Sequence, residues 1–245
     1  MPKILKQMNN RRASYYPLPV YLLLLLMVWV GAFFADVMQL LLGAEAPTSS
    51  LISAEGVRWA LRTALPSIDA VPWGMVMMLV AIYGLLRGSG LVKVIVRLVT
   101  LRRLTLAEWR ALLFSLAAAV CYVALLYMSA VAPWNILSGV THEPALSPLL
   151  QGWALLLFIG ALFVSLIYGF IYGNYRSMMD VVVSTAGTFV LFVPAIMALL
   201  PASGIVPCLQ YAGVQSIFGI PWEVLTAILY LLPFVYVMVL ESITE

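Results

Sequence analysis

Residues 18–42 read LPVYLLLLLMVWVGAFFADVMQLLL, and this stretch decides the fold class of the chain. A helix needs roughly 20 mainly apolar residues to cross about 30 Å of hydrocarbon, and the stretch is long enough to do so. The rest of the chain agrees, because 64% of its 245 residues are apolar and only 9% are charged. A soluble domain carries roughly 25% charged residues. The sequence therefore predicts an all-α integral membrane protein, since a helix satisfies its backbone groups within one segment.

Further apolar windows of similar length follow the first. The six predicted spans cover residues 18–42, 72–90, 111–131, 149–172, 181–200 and 222–240. Residues 1–17 are a basic N-terminal segment, and residues 18–245 are predicted to form a single helical membrane domain. Between the spans, residues 50–67 and 91–106 alternate charged and apolar positions at helical spacing, which is typical of helices that lie in the membrane interface. The first of these starts at Ser53, a residue type that favours a helix N-cap.

The basic residues orient the six spans. Lys and Arg accumulate in cytoplasmic segments beside membrane spans. A six-span chain with both termini inside places eleven of the 13 Lys and Arg residues on the cytoplasmic side, and only Arg58 and Arg62 on the other. The eleven are Lys3, Lys6, Arg11, Arg12, Arg87, Lys93, Arg97, Arg102, Arg103, Arg110 and Arg176. The sequence predicts that both termini are cytoplasmic.

A cleaved signal peptide is the alternative for the first span. Residues 3–12 supply a basic start, and Ala44-Glu45-Ala46 has the small residues of a cleavage site. However, the apolar part of a signal peptide is about 7 to 15 residues long, and this one is longer. We expect a retained span. Because the sequence also has no Asn-x-Ser/Thr site, it favours a bacterial inner membrane.

The basic segment 91–106 has two interpretations. A helix places Lys93, Arg97 and Arg102 or Arg103 near one stripe, which suits contact with anionic lipid at the inner surface. The alternative is a docking site for a soluble partner. DNA or RNA binding is excluded as a main function, because the net charge of +3 is small and membrane topology accounts for the basic residues.

Two long stretches of the chain carry a resemblance to a known family. Residues 49–91 read SSLISAEGVRWALRTALPSIDAVPWGMVMMLVAIYGLLRGSGL and are similar to the surface helix, the proline-containing second span and the Ser-Gly-Leu exit of the p-aminobenzoyl-glutamate transporter family, AbgT. Residues 146–193 read LSPLLQGWALLLFIGALFVSLIYGFIYGNYRSMMDVVVSTAGTFVLFV and are similar to its later Ser-Pro, Tyr-Gly and Asp-Val-Val sequence. A weaker similarity covers residues 219–235, GIPWEVLTAILYLLPFV. The order of the segments agrees.

The chain departs from the family in length. Family members are much longer and carry two hairpin-bearing transport units, whereas here residue 91 is followed directly by the basic segment and the next span. The resemblance covers mainly the inner scaffold spans through which the family dimerises. It therefore implies a dimer, or association with a partner membrane subunit, more than it implies a complete transport site.

A few polar residues are candidates for contact with a substrate or ion. Asp36 is the carboxylate inside an apolar run, and ionisation there is costly, although its place near the outer end of the span also allows an interfacial role. Arg176 and Asp180 have i, i+4 spacing, which predicts a salt bridge and a cap for the fifth span; the alternative is a gate or partner contact. Gln210 and Gln215 are weak candidates for a cavity, or else for helix capping.

Glycine pairs mark candidate packing sites. Gly84 with Gly88, and Gly169 with Gly173, have the small-x-x-x-small spacing that lets another helix approach closely, which makes them candidates for a contact with a second copy of the chain or with another subunit. The neighbouring Tyr168, Tyr172 and Tyr175 are predicted to form an aromatic belt at the lipid headgroups.

The sequence offers no pattern for catalysis, metal binding or a cofactor. Cys121 and Cys208 lie in apolar runs and read as small hydrophobic residues, and His142 is the sole histidine. Two functional hypotheses remain: a reduced or split transport-related subunit, and a non-transporting scaffold for another complex. An enzyme ranks last, because no nucleophile and base, metal cluster or phosphate loop is recognisable.

Overall fold

A computed structural model describes residues 14–42, 51–101, 103–131, 152–212 and 221–242. Regular structure in these residues is helical throughout. The helices are α1 (Pro17–Leu42), α2 (Ala54–Asp69), α3 (Trp73–Ser89), α4 (Leu91–Val99), α5 (Leu106–Val131), α6 (Trp153–Tyr172), α7 (Met178–Tyr211) and α8 (Trp222–Ser242).

The predicted all-α membrane fold is confirmed. Five helices, α1, α5, α6, α7 and α8, are long and apolar enough to cross a membrane, and the number is six if α2 and α3 are counted together as one broken span. The chain is therefore a multi-pass membrane protein. Most helix bounds lie within five residues of the predicted ones.

Helix α7 is the main departure from the predicted spans. The sequence predicted a fifth span over residues 181–200, but α7 runs for 34 residues and contains Pro194, Pro201 and Pro207. Prolines are tolerated in membrane helices where neighbouring groups satisfy the carbonyls that they leave without a donor. The predicted end at residue 200, just before Pro201, was misleading because a proline ends helices in water more reliably than in a membrane.

The chain divides into two compact units. The first unit comprises Met1–Pro72 and Leu191–Glu245, and the second comprises Trp73–Val190. In the first unit, α1 packs on the C-terminal part of α7 around Tyr21, Ala198 and Ala202. In the second unit, α6 packs on both α3 and α5, and Leu91 of α4 joins Ala111 and Tyr168 in a buried cluster.

Both predicted amphipathic segments contain a helix. Ser53 caps α2, because its hydroxyl oxygen accepts a hydrogen bond from the backbone N–H of Gly56 at 3.0 Å. The second helix, α4, is shorter than predicted: it ends at Val99 instead of continuing to residue 106. The chain then turns through Leu101, which has a φ of 53°. This left-handed conformation costs a non-glycine residue roughly 1–2 kcal/mol.

Candidate functional site

A short turn between α6 and α7 forms several polar contacts with its neighbours in the second unit. The hydroxyl of Tyr175 donates to the carbonyl oxygen of Leu85 at 3.0 Å and lies 3.3 Å from the hydroxyl of Ser184. The side-chain amide of Asn174 donates to the carbonyl oxygen of Ser89 at 2.6 Å. Burial raises the pKa of the Tyr175 hydroxyl, so the group stays protonated and available as a donor. The turn therefore fastens the C-terminal end of α3.

Two glycines of α3 make room for this contact. A Cβ atom at Gly84 would lie 3.1 Å from the Cβ of Thr188, and one at Gly88 would lie 2.7 Å from the Tyr175 hydroxyl. Real Cβ contacts are essentially never shorter than 3.0 Å. The predicted close approach at Gly84 and Gly88 is therefore present, and the partner is the chain's own α7 and its preceding turn.

The second glycine pair has two separate roles. Gly169 lies against the ring of Tyr175, which leaves no space for a side chain. Gly173 has a φ of +88° and nothing within 4 Å of a Cβ position. It is the C-cap of α6, and its backbone N–H bonds to the carbonyl of Gly169. Within the described chain, therefore, the left-handed cap and not a neighbouring helix requires glycine at this position.

The aromatic belt was also wrong for two of its three members. Tyr168 and Tyr175 are buried, with 0% and 3% of their surface exposed, whereas Tyr172 is exposed. Tyr168 stacks on Tyr172 with ring centroids 5.7 Å apart. Its hydroxyl is buried without a hydrogen-bond partner in the described residues. Two of these tyrosines therefore serve the packing of the second unit.

Asp180 caps the start of α7, as predicted. Its carboxylate oxygen Oδ2 accepts hydrogen bonds from the backbone N–H groups of Arg176 and Ser177 at 2.8 and 2.9 Å. The hydroxyl of Ser177 in turn accepts from the backbone N–H of Asp180 at 3.3 Å. This reciprocal arrangement is a capping box. The predicted contact with Arg176 thus runs through its peptide nitrogen, and Asp180 has a structural role in the chain.

A second capping box was missed in the sequence analysis. Glu108, in the first turn of α5, accepts from the backbone N–H of Thr105 at 2.8 Å, and its own N–H bonds to the Thr105 hydroxyl at 3.3 Å. The other carboxylate oxygen binds Nη1 of Arg97 at 2.6 Å. The Glu108 side chain is 2% exposed and that of Arg97 is 50% exposed. The Thr-x-x-Glu spacing was the signal in the sequence for this capping box. The ion pair between Arg97 and Glu108 also fixes α4 to the start of α5.

Hydroxyl groups within the spans bond to their own helices. Thr185 donates to the carbonyl of Val181 at 2.8 Å, Thr188 to that of Ser184 at 3.1 Å, and Thr226 to that of Trp222 at 2.7 Å. Ser115 and Ser203 bond three residues back in the same way. These groups are therefore satisfied by the preceding turn.

In the first unit, a tyrosine hydroxyl donates a hydrogen bond to a carbonyl that has no backbone donor because of a proline. Pro233 lies inside α8 and has no N–H, so it cannot form the regular bond to the carbonyl of Leu229. The hydroxyl of Tyr21, on α1, donates to that carbonyl at 2.7 Å. Tyr21 is 2% exposed. The contact joins α1 to α8 at the position where α8 lacks a backbone hydrogen bond.

The same unit buries Cys208 and stacks two aromatic rings. Cys208 packs with Ala32 and Leu51, and it is a free thiol. Trp59 of α2 stacks on Tyr211 of α7 with ring centroids 4.4 Å apart. The free, buried Cys208 agrees with its interpretation as a small core residue, whereas Cys121 is exposed on α5.

The remaining candidates do not form a common site. Asp36 lies in α1 with its side chain outside the described residues, and Gln215 and His142 lie outside them altogether. Gln210 is exposed on α7 in the first unit, whereas Asp180 belongs to the second unit. Within the described ranges, no three His, Cys, Asp or Glu side chains lie close enough together to hold a metal ion.

Comparison of the chain with protein-family models, curated proteins and solved structures finds no match.

Proposed function

We propose that this chain is a transport-related subunit of the bacterial inner membrane that supplies scaffold spans and acts as a dimer or with a partner membrane subunit. The resemblance of residues 49–91 and 146–193 to the AbgT family is the reason for the link with transport. The chain resembles the family's scaffold spans, so we assign it a role in assembly in preference to a role in solute binding.

The observation that carries the proposal is the way in which polar groups are used. Transporter sites are generally built where membrane helices are broken, so that unwound carbonyls and helix ends meet the ligand. Helix α7 instead stays helical through three prolines. Thr185 and Thr188 bond to carbonyls of the same helix. Both hydroxyls are therefore bonded to the chain's own backbone, which favours a scaffold role over a solute-binding one.

It follows from the proposal that a solute pathway needs a second polypeptide. Asp180 lies in the segment that resembles the family's Asp-Val-Val sequence. Its carboxylate accepts hydrogen bonds from two backbone N–H groups in the capping box. The close approaches at Gly84 and Gly88 are filled by Thr188, Ser184 and Tyr175 of the same chain. A dimer contact would therefore use another surface. The extensive exposed apolar face of α5, including Leu113, is available for lipid or a second subunit.

The alternative function is a non-transporting scaffold for another membrane complex. The same committed polar groups favour it, and it dispenses with the link to transport. The two functions differ in the expected neighbour: a split transporter requires a partner with helical hairpins carrying Ser, Asn or Asp at the middle of the membrane. A gene for such a partner beside this one favours transport.

Uptake into liposomes tests the proposal. The purified chain alone, reconstituted as intact oligomers, is expected to show no sodium- or proton-driven uptake of an aromatic acyl-glutamate. Co-reconstitution with a hairpin-bearing partner is expected to produce uptake. Uptake by the single chain would refute the proposal that it supplies only scaffold spans. Absence of uptake with every such partner would favour the non-transporting scaffold.

The mass of the detergent-solubilised protein tests assembly separately. Light scattering, corrected for detergent, is expected to give twice the 26.9 kDa of one chain, or a stable complex with the partner. A strictly monomeric chain in bilayer nanodiscs would contradict the assembly part of the proposal.

A further inference from the structure

The turn from α4 into α5 combines exposed basic residues with exposed aliphatic ones. Arg97, Arg103 and Arg110 are exposed, while Leu101 and Leu106 are 92% and 79% exposed. We name the surface formed by these five residues the basic corner. Its one described acidic neighbour, Glu108, is 2% exposed and bound to Arg97, so the surface that meets the surroundings is cationic.

Leu101 gives the basic corner an unusual conformation. Its φ of 53° is a left-handed value that a leucine rarely adopts, and its side chain is almost fully exposed. Leu101 follows Thr100, the C-cap of α4, and its backbone N–H bonds to the carbonyl of Leu98 at 3.1 Å, so the left-handed residue ends the helix. This termination places the leucine side chain in the open beside the arginines, where an apolar environment has to come from outside the described residues.

Arg97 is held ready for an anion. One guanidinium nitrogen, Nη1, is fixed at 2.6 Å from the Glu108 carboxylate, and half of the side chain remains exposed. A guanidinium has five N–H donors in a planar fork that matches phosphate oxygens, so donors of Arg97 other than the one bound to Glu108 are available for a second acceptor. The buried carboxylate orients the fork and reduces the freedom that it would lose on binding.

We propose that the basic corner binds the headgroup of an anionic phospholipid, with Leu101 and Leu106 entering the acyl region beside it. Arg97 and Arg103 contact the phosphate, and Arg110, one turn after Leu106 on α5, adds positive charge. An acidic soluble protein would match the charge, but it would leave two almost fully exposed leucines without an apolar environment. A bilayer surface matches both features.

A fluorophore beside the arginines tests this binding directly. Leu101→Cys is labelled with bimane in a chain in which Cys121 and Cys208 are replaced by alanine, and the full-length protein is reconstituted in phosphatidylcholine. Brominated phosphatidylglycerol or brominated phosphatidylcholine is then added as quencher. We expect phosphatidylglycerol to bind about tenfold more tightly, with a preference that falls as salt is raised.

Arginine variants assign the effect to the basic corner. Arg97→Gln and Arg103→Gln are each expected to reduce the preference for phosphatidylglycerol about fivefold. Arg62→Gln, on the exposed face of α2, is the matched control and should leave it unchanged. Because Arg97→Gln also leaves Glu108 without its partner, Arg103→Gln and a second label at Val99→Cys keep the test valid if the first variant folds poorly.

Four results would overturn the proposal. Equal quenching by the two lipids would remove the selectivity, and unchanged selectivity in Arg103→Gln would remove the arginines from it. Protection of the fluorophore from both lipids would place Leu101 outside the bilayer. If soluble polyglutamate, and not phosphatidylglycerol, binds in an Arg103-dependent manner, the surface belongs to an acidic protein partner.

Discussion

Replacing Tyr21 by phenylalanine removes the donor for the Leu229 carbonyl and keeps the buried ring. Pro233 cannot supply the regular backbone donor, so the carbonyl 2.7 Å from the Tyr21 hydroxyl is left unsatisfied. Leaving a buried acceptor without a partner costs about 1–3 kcal/mol. We expect Tyr21→Phe to lower the free energy of unfolding by this amount.

A double-mutant cycle isolates the physical reason. In Pro233→Ala, the new backbone N–H reaches Leu229, so Tyr21→Phe then removes only a supplementary bond worth about 0.6 kcal/mol. The expected coupling between the two positions is the difference of these costs, about 0.4–2.4 kcal/mol. It can be measured by reversible unfolding in mixed micelles with increasing sodium dodecyl sulfate.

Tyr122 provides a matched control within the same protein. Its hydroxyl donates to the carbonyl of Leu156 at 2.8 Å, but the residue four positions later is Gly160, which retains its N–H. Tyr122→Phe is therefore expected to cost only about 0.6 kcal/mol. If Tyr21→Phe costs the same in the presence and absence of Pro233, and no more than Tyr122→Phe, the reasoning is refuted.

Two further predictions concern the second unit. Gly88→Ala places a methyl group against Ser184 and the Tyr175 hydroxyl, and should destabilise the protein by about 1–3 kcal/mol in the same unfolding assay. Gly187→Ala, with nothing within 4 Å, should be neutral or stabilising by up to about 1 kcal/mol; equal losses would contradict the packing argument. Glu108→Ala should cost more than Asp180→Ala, because the Glu108 carboxylate is buried and also binds Arg97. Loss of a cap alone costs about 0.5–2 kcal/mol; hydrogen exchange at the first turns of α5 and α7 checks both, and a larger effect at Asp180 would argue against it.

Composition and apolar run length were sufficient to predict the fold class. The solvent imposes this result, because lipid forces each spanning segment to satisfy its own backbone. The same argument could not predict that α7 continues through Pro194, Pro201 and Pro207, because tolerance of proline depends on neighbours that are distant in sequence.

Local patterns predicted the helix ends better than the side-chain partners. The caps at Ser53 and Asp180 follow from residue type and spacing, and both are present. The Thr105–Glu108 capping box has the same kind of signature, but the amphipathic pattern predicted over residues 91–106 runs through Thr105 and so left no helix start there. Tyr175 was placed at the headgroups because an aromatic near a span end usually lies there, whereas its burial depends on the gap left by Gly88 and Gly169.

The sidedness of the loops tests the predicted topology, in which the chain crosses the membrane six times with both termini in the cytoplasm. His142→Cys and Arg103→Cys, each in a chain with Cys121 and Cys208 replaced by alanine, are labelled in intact cells with a thiol reagent that cannot cross the inner membrane. We expect the cysteine at position 142 to react, and the one at position 103 to react only after the membrane is opened. Reaction of both from the same side would contradict it.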